Sequence, residues 1–182
     1  MIRRAAEITA ETGAFWTNQF QNDDMIAGYR SLGEELLRQL PGPPAIDALY
    51  GYIGTAGCFL GTTRALREVL PAVERVAVEP AESAVLSGGA PGTHHIEGGG
   101  IGYWPPKLSA GDIDRLIPVP EADAFAMART AARTEGILSG RSTGANLVAA
   151  LAVARELGPG HRVVTMQVDS GLKYLAGNLY TG

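Results

Sequence analysis

A glycine-rich turn in the first half of the chain could bind phosphate. The turn follows an apolar, strand-like segment at 46–53 and leads into a predicted helix; it reads Gly54-Thr55-Ala56-Gly57-Cys58. Such a turn at a helix N-terminus presents unpaired N–H groups in a concave arrangement, and the helix dipole adds partial positive charge. A tight strand-to-helix turn would use the same residues, so the spacing alone leaves both interpretations open.

Two further polar clusters lie beside predicted element ends. Ser142 and Thr143 stand at the start of an apolar helix, where either could bind a ligand or simply act as its N-cap. Asp169, Ser170 and Gly171 follow the last apolar strand, and ligands of open α/β sheets bind at the carboxyl ends of strands. We therefore expect the three clusters to line one crevice.

The elements that must position these clusters follow from hydrophobic periodicity. Strands are predicted at 14–20, 46–53, 75–79, 116–119 and 162–168, and three of them are the near-continuous apolar runs of strands covered on both faces. Helices are predicted at 2–12, 25–40, 57–70, 122–134, 143–157 and 170–175, with Asp23 and Asp24 as cap candidates for the second and the proline-rich stretch 41–44 as its end. Strands alternating with helices predict a parallel α/β sheet, with a long glycine-rich loop at 87–106.

Composition narrows the class of protein. A chain of 182 residues suits one domain, and its net charge of −4, with no cluster of basic residues beyond Arg3 and Arg4, argues against nucleic acid as a partner. Its apolar runs are too short to cross a membrane, its N-terminus lacks the pattern of a signal peptide, and it has one cysteine. We expect a cytoplasmic location and no membrane partner.

Alternative chemistries have weaker support in the sequence. Glu79 lies 25 residues after Gly54, about where a dinucleotide-binding domain places its ribose-binding acid, but the pattern G-x-G-x-x-G is absent. Adjacent His94 and His95 would point to opposite sides of an extended chain, so no metal site is predicted. Cys58 could have a lowered pKa at a helix N-terminus, although a neutral thiol is the simpler interpretation.

Several segments occur in the order and spacing of one enzyme family. They are 18–22 (Asn-Gln-Phe-Gln-Asn), 54–57 (Gly-Thr-Ala-Gly), 78–89, 135–145 and 169–175. In these the chain resembles the cysteine synthases, or O-acetylserine sulfhydrylases, relatives of cystathionine β-synthase among the fold type II pyridoxal-phosphate enzymes. The resemblance spans essentially the whole chain but corresponds to the C-terminal part of such an enzyme. It implies a three-layer, tryptophan synthase β-like fold, truncated at the N-terminus.

The resemblance assigns roles to individual residues. The cofactor would be pyridoxal 5'-phosphate, its phosphate bound at Gly54, Thr55, Ala56, Gly57 and Cys58 and its pyridine nitrogen by Ser142, with Asp169 near the ring. Gln19 and Gly98 would contact a small amino-acid substrate. A neutral serine at the pyridine nitrogen suits β-replacement on O-acetylserine-like substrates to give cysteine.

Three departures from the family pattern involve residues near these positions. Ala56 and Cys58 stand in a loop that often reads G-T-G-G-T, Arg141 replaces a small or apolar residue, and Gly99 replaces an apolar one. Any of these changes could alter substrate preference.

The family's Schiff-base lysine has no counterpart here. The chain has two lysines, Lys107 and Lys173, both interpreted as surface charges, so no catalytic residue is predicted. We expect residues 1–182 to form a single α/β domain equivalent to the cofactor-binding lobe, with 1–20 a remnant of the smaller lobe. The chain alone would be inactive, with an N-terminal-half polypeptide or a second copy as partner. A non-catalytic binding or assembly module, or half of a split enzyme, is the alternative.

Overall fold

The computed structural model describes residues 2–40, 42 and 45–181. Four parallel strands form one sheet in the order β3-β2-β1-β4. The strands are β1 Ala48–Tyr52, β2 Glu74–Pro80, β3 Arg115–Val119 and β4 Val163–Thr165. The helices are α1 Ile2–Thr12, α2 Asp23–Gln39, α3 Gly57–Val69, α4 Glu121–Glu135 and α5 Arg141–Leu157. The predicted parallel α/β fold is confirmed.

Helices cover both faces of the sheet, which gives three layers. Tyr50 and Val78 point to one face and pack with Ala149 of α5, whereas Ala77 points to the other and packs with Phe59 and Leu60 of α3. Because successive strand residues face opposite sides, strands covered in this way must be apolar on both, as the near-continuous apolar runs predicted.

Glycines let the paired helices cross closely. A Cβ on Gly144 of α5 would lie 2.0 Å from the carbonyl oxygen of Ala124 in α4, and one on Gly61 of α3 would lie 2.3 Å from that of Ile26 in α2. No larger residue fits either crossing without moving backbone. These two contacts set how tightly each pair is held over the sheet.

Two local predictions were wrong. Residues 14–20 form no strand: Asn18 has a positive φ of 39°, and its carbonyl accepts from the amides of Gln21 and Asn22, so the chain turns there instead of extending. The N-cap of α2 is Asn22, whose side chain accepts from the Asp24 amide at 2.8 Å, rather than Asp23 or Asp24. Asn and Asp cap almost equally well, so residue preference could not choose between them.

The terminal and loop regions complete the description. Helix α1 contains no buried residue. The segment 87–106 has no helix or strand, and the predicted last helix is a short 3₁₀ turn at Gly171–Tyr174. Pro41, Pro43 and Pro44, predicted to end the second helix, lie outside the described residues. None of the helices seen in the described part of the chain is long and apolar enough to cross a membrane.

Candidate functional site

The strand order places a crevice between β1 and β4. The chain runs from β1 through β2 to β3 on one side and then continues to β4 on the other side of β1. In open α/β sheets this change of direction is where ligands bind, at the carboxyl ends of the strands. The turn 54–58 follows β1, and Asp169 follows β4, so both predicted clusters come to this point.

Asn146 links the ends of β1 and β4. It is fully buried in α5; its Oδ1 accepts from the Tyr52 amide at 2.8 Å, and its Nδ2 donates to the Met166 carbonyl at 3.1 Å. The side chain therefore bridges β1 and the segment after β4 beyond their last paired residues, Tyr50 and Thr165. Sequence reasoning missed this residue, although a lone amide in an apolar helix was the available signal.

A cavity of about 290 Å³ opens between these ends. It is lined by Cys58 from the turn, Asn146 from α5 and the segment 166–168, together with aromatic and apolar residues of α2, β1 and α3. Its size suits a small organic ligand. Of the predicted site residues, Cys58 is the one that lines it.

The N-terminus of α3 leaves its first amides uncapped. Ala56 adopts a left-handed conformation (φ 69°) and makes no side-chain cap, and the first amide of the helical ladder is that of Leu60. The amides of Gly57, Cys58 and Phe59 precede that ladder, and only a long 3.4 Å contact joins Gly57 to Thr55 Oγ1. A strained non-glycine residue that leaves amides uncapped is typical of ligand sites.

Gly54 and Gly98 touch through their backbones. A Cβ on Gly54 would lie 2.3 Å from the Gly98 carbonyl oxygen. The amide of Gly100 donates to the Ile53 carbonyl at 3.1 Å, which fastens the glycine-rich loop to the residue just before the turn. The structure thus brings the predicted substrate loop against the predicted phosphate turn.

The side chains of Thr55 and Cys58 are poorly suited to donate hydrogen bonds to a bound anion. The Thr55 hydroxyl donates to Met25 Sδ at 3.2 Å, so that hydrogen is already engaged. Burial raises the pKa of the Cys58 thiol, which favours the neutral form over the thiolate considered from the sequence. Main-chain amides are therefore the turn's principal donors.

Ser142 lies in the first turn of α5 and is 4% exposed. The N-cap is Gly140, so the interpretation of Ser142 or Thr143 as N-cap was wrong. The Thr143 hydroxyl instead accepts from the Val168 amide at 3.0 Å and ties α5 to the segment after β4. A glycine cap leaves the hydroxyl of Ser142 free of that capping role.

Asp169 is engaged on both oxygens. Its Oδ1 accepts from the Gly140 amide at 3.0 Å and its Oδ2 accepts from the Tyr174 hydroxyl at 2.7 Å. Burial, together with this carboxylate, raises the pKa of Tyr174 to about 12. In the structure Asp169 therefore fixes the start of α5, which carries Ser142; its direct contact with a cofactor stays a prediction.

Gln19 lies on an exposed turn beside the glycine-rich loop. The next residue, Phe20, has its ring 5.9 Å from that of Tyr103 in the loop. Gln19 itself does not line the cavity. The structure thus places it near the loop without bringing it to the β1–β4 crevice.

Both lysines pair with carboxylates. Lys107 Nζ lies 2.8 Å from Asp23 Oδ1, and Lys173 Nζ lies 3.1 Å from Glu97 Oε2. The hydrogen bond with Glu97 raises the pKa of Lys173, which keeps the amine protonated and non-nucleophilic. Neither lines the cavity; the Lys173 side chain is 59% exposed, as expected of a surface charge, whereas that of Lys107 is only 25% exposed.

The residues considered for dinucleotide binding and for metal binding are engaged in contacts within the chain. Glu79 is 2% exposed, and its carboxylate accepts from the amides of Leu86 and Ser87 and from the Ser87 hydroxyl, so it is not available to a ribose. His94 bonds the Gly100 carbonyl, while His95 pairs with Glu121. Within 2–40, 42 and 45–181, no group of three or more His, Cys, Asp or Glu side chains could hold a metal.

These features define a class: a parallel α/β lobe in which α3 begins with uncapped amides at the β1–β4 crevice, and α5 begins beside Ser142 and is tied by Thr143 to the segment after β4. Residues 1–169 match the family model described as "Pyridoxal-phosphate dependent enzyme". The chain belongs to that family, and its cofactor is pyridoxal phosphate.

Curated relatives and solved structures narrow the similarity to cysteine synthases. The chain is 40% identical to a cysteine synthase of Staphylococcus aureus over 181 residues, which is 99% of this chain and 58% of that protein. The O-acetyl serine sulfhydrylase isoform 3 of Entamoeba histolytica superposes with a TM-score of 0.93 at 34% identity, over 100% of this chain and 54% of that one.

The O-acetylserine dependent cystathionine beta-synthase of Helicobacter pylori superposes with a TM-score of 0.90 at 35% identity, over 98% and 58% of the two chains. These likenesses confirm the resemblance seen in the sequence and the fold type II architecture. The chain thus spans somewhat more than half the length of these relatives.

Proposed function

We propose that this chain is the cofactor-binding lobe of a cysteine synthase-like enzyme that performs β-replacement on an O-acetylserine-like amino acid. The observation that carries the proposal is the uncapped N-terminus of α3, held open by left-handed Ala56 at the β1–β4 crevice. A phosphate is one of the anions that such a cluster of amides binds.

The residues present fit pyridoxal phosphate. The amides of Gly57, Cys58 and Phe59 would hold its phosphate, and the Ser142 hydroxyl would bond its pyridine nitrogen. Any side chain at position 54 would enter the contact with Gly98, so the glycine there keeps turn and loop together. When bound, the cofactor supplies the electron sink for chemistry at the amino-acid β-carbon.

The chain's own residues then have restricted tasks. The amides orient the phosphate, Asp169 fixes the turn that carries Ser142, and Gly98 offers bare backbone beside a substrate. Neither lysine is free to move a proton at this crevice, because each is paired with a carboxylate. We therefore propose that the chain is inactive alone and that a base in another segment or chain completes the site.

A charge placed in the turn tests the proposal. Cys58→Asp puts a carboxylate at the helix N-terminus. The carboxylate interacts favourably with the positive end of the helix dipole but repels a phosphate. We expect the variant's affinity for pyridoxal phosphate, measured by cofactor fluorescence, to fall at least tenfold, and its thermal stability to fall slightly because burial at this position opposes the charged carboxylate. Cys58→Asn, of similar size and uncharged, is the matched control and should bind within about threefold of the natural chain.

Two results would contradict the proposal. One is equal affinity of the Asp and Asn variants, since binding would then avoid the helix N-terminus. The other is cofactor mass on Lys107 or Lys173 after borohydride reduction, detected by mass spectrometry, since the chain would then carry its own Schiff-base lysine.

An assembly role is a second candidate, favoured by unpartnered apolar surface. Phe15 is 88% exposed, and α1 exposes Ile2 and Ile8 at 55% and 41%. Large apolar side chains exposed to this degree in one N-terminal segment are candidates for contact with a second chain. Light scattering after size exclusion should show self-association that Phe15→Ser weakens; a monomer at all concentrations would count against this role.

A further inference from the structure

The glycine-rich loop is fastened to the start of α5 by one arginine. Arg141 immediately precedes Ser142, and its Nη1 donates to the His95 carbonyl at 2.9 Å. The same nitrogen lies 3.4 Å from Glu97 Oε1. Gly98, which touches the phosphate turn, follows directly, so this side chain reaches the loop segment that faces the site.

The guanidinium of Arg141 is enclosed on its remaining sides. Its Nη2 donates to Asn178 Oδ1 at 2.9 Å, and its central carbon lies 4.6 Å from the ring centre of Phe125 and 5.4 Å from that of Tyr174. The side chain is 12% exposed. A planar cation that lies within 6 Å of two ring centres and donates from both terminal nitrogens has little freedom to turn, so its hydrogen bonds have a fixed direction.

Stability alone does not account for an arginine here. Its Nε is buried without a partner among the described residues, and such a group costs free energy that an apolar side chain would avoid. The contact with Glu97 is half exposed and screened by salt. The bond to the His95 carbonyl ends on the main chain, so it joins the loop backbone to the start of α5, beside the Tyr52–Ile96 and His95–Glu121 contacts that hold the same segment to β1 and α4.

We propose that Arg141 is a positioning residue that clamps the loop bearing Gly98 to the helix turn bearing Ser142. The clamp fixes the distance between this loop and this turn, both of which face the ligand. The clamp closes a path that runs from the turn 54–58 through Gly98, His95 and Arg141 to Ser142. The consequence for ligand binding rests on the proposed function, whereas the clamp itself does not.

Hydrogen exchange tests the clamp directly. The Gly100 amide, bonded to the Ile53 carbonyl, reports whether the loop is closed. In Arg141→Met we expect its peptide to exchange at least tenfold faster, with β2 peptides unchanged. Arg129→Met is the matched control, because Arg129 also bonds the C-terminal tail, at the Leu179 carbonyl, but does not touch the loop; its loop should exchange as in the natural chain.

A conservative variant separates positioning from packing. Arg141→Lys keeps the charge, but the single ammonium of lysine lacks the planar fork with which arginine bonds His95 and Asn178 together. We expect at least threefold faster loop exchange at an unchanged melting temperature. The clamp would be overturned if the loop of the Lys variant, or of a folded Met variant, were as protected from hydrogen exchange as the loop of the natural chain.

Affinity for pyridoxal phosphate links the clamp to the site. We expect Arg141→Met to bind at least tenfold more weakly and Arg129→Met within twofold of the natural chain. Loss of loop protection with unchanged affinity would overturn the coupling to the ligand. If the natural chain bound no pyridoxal phosphate, the proposed function would fail while the exchange measurement still decided the clamp.

Discussion

The edge of the sheet formed by the amino ends of the strands (the amino edge) and the edge formed by their carboxyl ends (the carboxyl edge) are stabilised by different contacts. At the amino edge, Asp114 accepts from the amide, Nε and Nη2 of Arg75 at 2.8–2.9 Å, and Arg115 bridges Glu74 and Glu156. At the carboxyl edge, the turn 54–58 is held by backbone contact with Gly98, and Ala56 stays left-handed with no side-chain cap.

The difference separates stability from ligand binding. Charges at the amino edge are satisfied within the chain, so they offer nothing to a ligand. The carboxyl edge leaves amides uncapped beside a left-handed alanine, and uncapped amides at a helix N-terminus are the donors that bind an anion. Substitutions at the two edges should therefore change different measurements.

The largest effect is expected from Gly54→Ala at the carboxyl edge. Its Cβ would lie 2.3 Å from the Gly98 carbonyl oxygen, so the turn and loop must separate. We expect a loss of about 3 kcal/mol in urea unfolding and at least tenfold weaker cofactor binding. Gly28→Ala, at an open helical position in α2, should instead be slightly stabilising; equal behaviour of the two variants would refute the close contact.

At the amino edge, Asp114→Asn should lower stability without touching affinity. Hydrogen bonding to Arg75 holds the pKa of Asp114 at about 2, below its ordinary 3.8. The ion pair therefore stabilises fully above pH 4, and its contribution is lost as pH falls towards 2. We expect a loss of about 1–2 kcal/mol at pH 7 and a shallower decline below pH 4.

Urea unfolding at several pH values measures the Asp114 effect. Exposed Asp123→Asn serves as the control and should keep the natural pH profile. A tenfold change in cofactor affinity for Asp114→Asn would show that the two edges are coupled after all.

The smallest effect is expected from Ala56→Gly, which relieves backbone strain at the carboxyl edge. Left-handed alanine costs about 1–2 kcal/mol, and glycine adopts this conformation freely at some entropic cost. Ala56→Gly should therefore stabilise the chain by about 0.5–1 kcal/mol in thermal unfolding. Ala126→Gly, on the exposed face of α4, should destabilise it by about 1 kcal/mol. Destabilisation by both would mean that Ala56 is not strained.

Local sequence patterns were sufficient for most elements. The apolar runs of β1 and β2 predicted buried parallel strands, and the glycines before α3 predicted a turn at its N-terminus, with its ligand-binding role left open. The segment 14–20 shows where the pattern failed: local residue types alone cannot tell a strand from a turn when no neighbouring strand is available to pair with it. Asn18 at positive φ decided that segment.

What the sequence by itself determined is the set of local preferences: which segments are apolar, which turns need glycine, and the family to which these motifs belong. Only the tertiary structure decided how Asn146, Asp169 and Arg141 act, because their partners lie 94, 29 and 46 residues away along the chain. Hydrogen bonds between segments so far apart depend on the packed sheet, and no local spacing encodes them.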